Sequence, residues 1–304
     1  MPSKKKTFHL RLPATSANLG PAFDAAALAF NLFLDIRASA APEFSIEAYG
    51  RDSELCGRLE NHLILNTYRE VLEAGKRRPI SLALKIKNEI PLGKGCGSSA
   101  AARLAGIALA VHFGGLGWSG SRIVGEASRR EHHPDNAAAC WLGGIAVARM
   151  AGGGEAQVAR MLPKGKWPLL LAVPDQALPT EEARRVLPAN YSRADVVNNI
   201  QNSMLMLAAF VQGRHDLLRS VLHDRIHQPY RAPLCPLLPA LENLSPAAGV
   251  LGSVLSGAGP SVLIFLDPNA SLDRTKARVS RHLAAAALTA ELIPAKIEGR
   301  GVRR

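Results

Sequence analysis

The segment Pro91-Leu92-Gly93-Lys94-Gly95-Cys96-Gly97-Ser98-Ser99-Ala100-Ala101 constrains this chain more than any other. It follows a strand-like stretch at 80–86 and opens an alanine-rich helical pattern at 99–113, so its glycines and serines fall at a strand-to-helix junction. A helix start presents free backbone N–H groups and the positive end of its dipole, and glycines let an anion approach the main chain with no Cβ in the way. Ser98 and Ser99 add hydroxyls and Lys94 a positive charge. A Walker A loop places its lysine directly after the last glycine, and a dinucleotide fingerprint is spaced G-x-G-x-x-G. Here Lys94 comes early and the spacing is G-x-G-x-G, so neither applies. A tight turn whose glycines serve packing alone is the competing reading, and the Ser-Ser-Ala-Ala continuation favours a phosphate ligand.

Periodicity places further elements on both sides of this loop. Phe8, Leu10 and Leu12 alternate with Thr7, His9 and Arg11 as a half-buried strand that runs into a polar loop from Pro13 to Phe23. Strands are predicted at 44–48 and 144–148, and helices at 61–74 and 121–131. A glycine-rich break at 151–154 precedes the apolar run Leu169–Val173, closed by Pro174. Beyond it the pattern gives helices at 195–212, 217–223 and 272–288, and strands at 250–255, 261–266 and 292–297. Strands and helices mix in both halves without strict alternation, which argues an α+β class rather than a doubly wound sheet. A chain of 304 residues exceeds what one core comfortably fills, so two packed lobes, 1–154 and 155–304, are expected to share a cleft.

Charge and composition narrow the function classes. The formal net charge of +12 attracts anions without choosing among nucleic acid, a membrane surface and a phosphorylated small molecule. Part of the excess sits in short basic tails, Lys4, Lys5 and Lys6 and then Arg300, Arg303 and Arg304, expected to be solvated. Aromatic residues are 5% and no stacking motif interleaves them with basic ones, so nucleic acid is not an expected partner. Cys56, Cys96, Cys140 and Cys235 lie far apart, without zinc or disulfide spacing, and a reducing cytoplasm is the expected setting. The start lacks the apolar core of a signal peptide, and no uncharged apolar run is long enough to span a bilayer, so no membrane partner is expected.

The glycine segment resembles the phosphate loop of the GHMP kinases, P-x-G-x-G-L-G-S-S-A-A, at every position but Cys96, which stands where the family has Leu. Two further segments are similar to the other family motifs: the opening stretch from Pro13-Ala14-Thr15-Ser16-Ala17-Asn18-Leu19-Gly20 to Phe23-Asp24, and Leu255-Ser256-Gly257-Ala258-Gly259-Pro260-Ser261. The opening stretch and His133-Pro134-Asp135-Asn136 most resemble the homoserine kinases of that family. The resemblance implies an N-terminal domain like ribosomal protein S5 domain 2, a ferredoxin-like C-terminal domain and an active site between them. It also implies ATP and Mg2+, L-homoserine as the acceptor, and a homodimer.

Residue roles follow from the same likeness. The loop from Pro91 to Ala101 is implied to bind ATP, with Asn61 beside the base, although an Asn before a helix is commonly its N-cap. Asp135 takes the substrate ammonium, Asn136 lies by the reacting hydroxyl, and Asn18, Asp24 and His133 are further substrate contacts. Arg184 and Arg231, in stretches similar to those whose arginines hold the carboxylate, form a clamp. Asn136, Asp24 and Lys94 make up the implied catalytic set. Mg2+ falls to Ser99 and Glu131, with Glu126 on the same helix as the alternative carboxylate.

Three departures from the family pattern carry expectations. Cys96 could make the loop sensitive to oxidation. Ala22 stands where the family has Gly, with about 1–3 kcal/mol of strain if its φ is positive. His132 replaces the usual Gly before His133, with an expected effect on access to the ammonium site. The rival readings are another GHMP kinase or decarboxylase, and a non-catalytic binding protein of the same fold.

Overall fold

The computed structural model describes residues 7–242, 244 and 249–303, so Lys4, Lys5, Lys6 and Arg304 lie outside the described residues. The first strand, β1 (Thr7–Ala17), pairs antiparallel along β2 (Ala26–Ala40), from Thr7↔Ser39 to Ala17↔Ala27. A register shift between Pro13 and Ala14 moves the partner from Phe33 to Phe30. β3 (Ser45–Gly50) runs parallel to β4 (Leu82–Asn88), and β4 pairs with the second half of β2. Residues 26–28 of β2 pair with β5 (Ile145–Met150), which carries β6 (Ala156–Met161) on its far edge.

The sequence reading contains no strand where β2 lies, and burial explains this for its first half alone, since Leu34, Ile36 and Ala38 alternate with the more exposed Asp35, Arg37 and Ser39 in the second. Residues 26–30 are buried on both faces, so no alternation marks them. The helices of this half are α1 (Ser53–Cys56), α2 (Leu63–Ala74), α3 (Ser98–Gly114), α4 (Gly120–Glu131) and α5 (Asp135–Leu142). α3 and α5 pack against β1, and α2 and α4 against α3. Leu104, Ile107 and Leu109 of α3 are fully buried, each contributing roughly 1.5–3 kcal/mol of transfer free energy. That packing fixes where the start of α3 points.

The expected break at 151–154 is the tip of the β5–β6 hairpin. β6 pairs with β5 from Ile145↔Met161 to Met150↔Ala156, so the first sheet continues past residue 154 and the chain crosses to the second sheet between Met161 and Pro168.

The second sheet comprises β7 (Pro168–Val173), β8 (Val250–Leu255), β9 (Val262–Leu266) and β10 (Glu291–Lys296), antiparallel in the order β10-β7-β9-β8. That order is the ferredoxin-like arrangement. Its helices are α6 (Thr180–Arg185), α7 (Arg193–Gln212), α8 (His215–Val221), α9 (Gln228–Arg231), α10 (Leu237–Glu242) and α11 (Leu272–Ala285). Leu169, Leu171, Leu263 and Phe265 join the core shared with the first half, while Leu170, Ala172, Val262 and Ile264 face a second core with Leu238, Leu241 and Leu283. Burial on both faces accounts for the continuous apolar run at 169–173. The chain end ties the two halves together: Glu298 N–H donates to Ala29 O and Arg303 exchanges hydrogen bonds with Arg11. Among the described residues no helix is long and apolar enough to cross a membrane.

Candidate active site

Gly93, Gly95 and Gly97 all have positive φ, and Gly97 caps the start of α3. A Cβ on Gly95 would lie 2.1 Å from Ser256 O, and one on Gly97 would lie 1.9 Å from Thr15 Oγ1. Both glycines therefore serve packing, as the competing reading of the loop expects, and both also line the cleft described below. The loop is bolted to its neighbours by Thr15 N–H donating to Cys96 O (3.1 Å) and Ser256 Oγ donating to Gly95 O (2.7 Å). The three separated motifs of the sequence meet here.

The loop lies between two hollows, both of which reach Gly93, Ser98 and Ser99. The hollow toward α2 and β4 is chiefly apolar, lined by Leu34, Leu63, Ile64, Ile86, Ile90 and Leu92. Asn61 is on its wall with a φ of 53°. His62, not Asn61, occupies the N-cap of α2, which removes the capping explanation for Asn61.

The opposite cleft is polar. Asp24, Glu131, His133, Asp135, Asn136, Arg184 and Arg231 all line it, together with Asn18 and the turn Gly257–Gly259. Asp135 is buried; its Oδ1 accepts from Asn136 N–H and bonds His133 Nδ1, both at 2.6 Å, while Oδ2 has no hydrogen-bond partner. An unpartnered buried carboxylate oxygen on a cleft wall is an unmet demand for a donor. Burial opposes the charged form of His133, but its hydrogen bond to Asp135 and the charges of Asp135, Asp24 and Glu131 outweigh it and raise its pKa.

Arg184 forks onto Asp24, with Nη2 to Oδ1 at 2.8 Å and Nη1 to Oδ2 at 3.0 Å. Arg231 is almost wholly buried, its Nε donating to Ala183 O at 2.9 Å and its Nη1 to His227 Nδ1 at 3.2 Å. Burial and the nearby Arg184 push the Arg231 guanidinium down to about 10, still cationic at neutral pH. Both guanidinium groups sit over the Phe23 ring, at 5.6 and 5.3 Å from its centroid, and that ring stacks on His227. Burial drops His227 to about 4. As a neutral ring it donates from Nε2 to Gly20 O (2.8 Å) and accepts from Arg231 at Nδ1.

Ser99 Oγ and Glu131 Oε1 are 2.7 Å apart at the mouth of α3, with Arg103 Nε 2.5 Å from the same carboxylate oxygen. Glu126 instead pairs with Arg129 and Arg130 and does not line the cleft, so Glu131 is the carboxylate placed beside Ser99.

Several expectations need correction. Lys94 does not line the cleft; its ammonium donates to the backbone carbonyl of Asp175. Asn18 lines the cleft, yet its Nδ2 donates to Gly257 O (2.8 Å) and its Oδ1 accepts from Asp24 N–H (2.9 Å), so its amide braces the site. Cys96 is buried and its thiol is pushed up to about 12, which leaves almost no thiolate to oxidise at neutral pH. Ala22 is not among the residues with positive φ, whereas His132 is, at 66° in the left-handed C-cap of α4. The strain expected at Ala22 falls on His132.

Sequence reasoning did not single out Thr15, Thr180 or His227. Thr180 lines the cleft, and Thr15 Oγ1 donates to Asn136 Oδ1 at 2.6 Å. The only sequence signal for His227 is its spacing of four residues before Arg231, which brings the two side chains to one face of a helical turn.

The pattern described as GHMP kinases N terminal domain matches residues 62–144, and that described as GHMP kinases C terminal matches residues 206–285. A homoserine kinase of Solibacter usitatus is 45% identical over 270 residues, covering 88% of each chain. One from Deinococcus radiodurans is 38% identical, covering 89% of this chain and 88% of its own. The crystal structure of a homoserine kinase from Cytophaga hutchinsonii superposes with a TM-score of 0.81 at 21% identity, covering 100% of this chain and 98% of that one, a likeness of fold. Sharing its phosphate loop, its two domain patterns and this level of identity along nearly its whole length, the chain belongs to the homoserine kinases of the GHMP kinase family.

Proposed function

We propose that the protein transfers the γ-phosphoryl group of ATP to the hydroxyl of L-homoserine, giving O-phospho-L-homoserine. One observation carries this reading: a single cleft beside the glycine loop holds Arg184 and Arg231 together with Asp24 and the half-unpartnered Asp135. Two cations and two carboxylates in one hollow match a zwitterion, and neither an isoprenoid alcohol nor a sugar supplies both charges.

The adenine base enters the apolar hollow beside Asn61, and the triphosphate lies along the start of α3. Ser99 and Glu131 supply a hydroxyl and a carboxylate at hydrogen-bond distance from each other, a donor set that fits Mg2+, which when bound neutralises charge on the β- and γ-phosphates. The substrate carboxylate competes with Asp24 for Arg184 and meets Arg231 beside it. Asp24 and Asp135 then face the ammonium. The hydroxyl is left at Asn136, with the phosphate loop on the far side. No strong base stands at that position: Asn136 is an amide, and His133 bonds to Asp135. Positioning and charge neutralisation supply the catalysis, as a loose phosphoryl-transfer transition state allows.

A coupled ADP-release assay with ATP, Mg2+ and a panel of hydroxy amino acids, isoprenoid alcohols and sugars tests this. Turnover on L-homoserine well above all others is the expected result. Preferred turnover of mevalonate or a sugar would assign another GHMP activity, and no turnover on any acceptor would leave only a binding role.

A further inference from the structure

Thr15 lies two residues past Pro13, where the partner of β1 jumps from Phe33 to Phe30 and leaves Asn31 and Leu32 of β2 unpaired with β1. Irregularities of this kind cluster beside active sites. Thr15 is wholly buried and makes two connections. Its backbone N–H holds Cys96 O of the phosphate loop, and its hydroxyl meets the Asn136 side chain at 2.6 Å. No other residue in the described structure ties the phosphate loop to Asn136 through hydrogen bonds of its own on both sides.

The second contact is O–H···O at an ordinary length for that pair. The Thr15 hydroxyl donates to Asn136 Oδ1, which leaves the amide NH2 as the end that serves the cleft Asn136 lines. Were the amide reversed, a carbonyl oxygen would face the γ-phosphate and the acceptor hydroxyl, and its partial negative charge would oppose the incoming phosphoryl oxygens.

We infer that Thr15 is a positioning residue for phosphoryl transfer: it fixes the amide of Asn136 donor-end inward and in register with the phosphate loop. The inference rests on the kinase reading above. It assigns Thr15 no contact with substrate; the residue acts through Asn136. Alignment of acceptor against donor is what it controls, so its loss lowers kcat and spares the two Michaelis constants. A misplacement of about 1 Å in such a site costs as much as a hundredfold in rate.

The test compares Thr15→Val, Thr15→Ala and Thr15→Ser in steady-state kinetics, with thermal unfolding of each. Thr15→Val keeps the shape and removes the hydroxyl, and Thr15→Ser keeps the hydroxyl and removes the methyl. We expect kcat to fall about 10- to 100-fold in Thr15→Val and Thr15→Ala, with KM for ATP and for homoserine within roughly threefold of wild type, and Thr15→Ser to stay within about threefold in kcat. In an Asn136→Ala background, Thr15→Val should add less than about a twofold further loss, because the two residues act as one unit. Equal impairment of Thr15→Ser and Thr15→Val, a full additive loss in the Asn136→Ala background, or a Thr15→Val enzyme as fast as wild type would each overturn the inference. If Thr15→Val fails to fold, Thr15→Ala against Thr15→Ser decides the same question. The ratios are taken on whichever acceptor the wild type turns over, so a wild type inactive on homoserine refutes the substrate reading and not the role of Thr15.

Discussion

The hollow on the α2 side of the glycine loop is walled chiefly by Leu34, Leu63, Ile64, Ile86, Ile90 and Leu92, whereas the cleft on its other side carries Asp24, Glu131, His133, Asp135, Arg184 and Arg231. The two share Gly93, Ser98 and Ser99, so only a few residues of the loop separate an apolar site from a charged one. Under the proposed function the two hollows would recognise the two substrates by different physics. A flat base is selected by shape and burial, with each aliphatic wall residue adding dispersion contacts. A small zwitterion has little surface to bury and would be selected by charge-assisted hydrogen bonds.

The largest expected effect comes from removing one cation of the polar cleft. Arg231→Leu should raise the KM for homoserine roughly a hundred- to a thousandfold, corresponding to about 3–4 kcal/mol, and leave the KM for ATP unchanged. An equal rise in both constants would break the division between the two hollows.

Acid probes the floor of the same cleft. His227 is fully buried and its pKa falls to about 4, below the roughly 6.5 of an exposed histidine. Between those values the unfolded chain binds a proton that the folded chain does not, so stability rises with pH across that window and is lost as pH falls through it. Denaturant unfolding should show a loss on the order of 2 kcal/mol between pH 6.5 and pH 4.5 from this residue, absent in His227→Gln.

On the apolar side the effect should be smaller. Asn61→Gly keeps a backbone suited to the φ of 53° and removes only the side chain, so a rise of about tenfold or less in the KM for ATP is expected, with homoserine unaffected. A matching rise for homoserine would show that the two hollows communicate.

The smallest effect serves as a control outside both. His132 is exposed and holds the left-handed C-cap of α4, so His132→Gly should raise unfolding stability by about 1 kcal/mol with kinetic constants unchanged.

Much of the glycine loop was readable from the chain because its glycines, its serines and the helix start are local features. The start of α3 falls within one residue of the reading, and the helices at 61–74, 121–131 and 195–212 are α2, α4 and α7 with small changes at their ends. The first half of β2 was not readable, since burial on both faces at 26–30 erases the period of two that marks a half-exposed strand; its second half does carry that period, with Leu34, Ile36 and Ala38 buried between the more exposed Asp35, Arg37 and Ser39, and the reading passed over it. α5 escaped for a similar reason: Ala137, Ala138, Ala139 and Cys140 are buried all round. Side-chain direction was the other gap. Nothing local states that Lys94 reaches Asp175 across the interface, or that Asn18 braces Gly257, 239 residues away in sequence, because both depend on how the halves dock. His227 and Thr15 act through Arg231 and Asn136, and such support is visible only once distances are known.

The central claim is that the polar cleft reads both charges of the acceptor. Its most direct test compares L-homoserine with 4-hydroxybutanoate, which keeps the hydroxyl and carboxylate and lacks the ammonium, at saturating ATP. A loss of kcat/KM of about a thousandfold or more is predicted, because Asp135 Oδ2 and Asp24 would be left facing an empty ammonium position. Values within tenfold of each other would contradict the account.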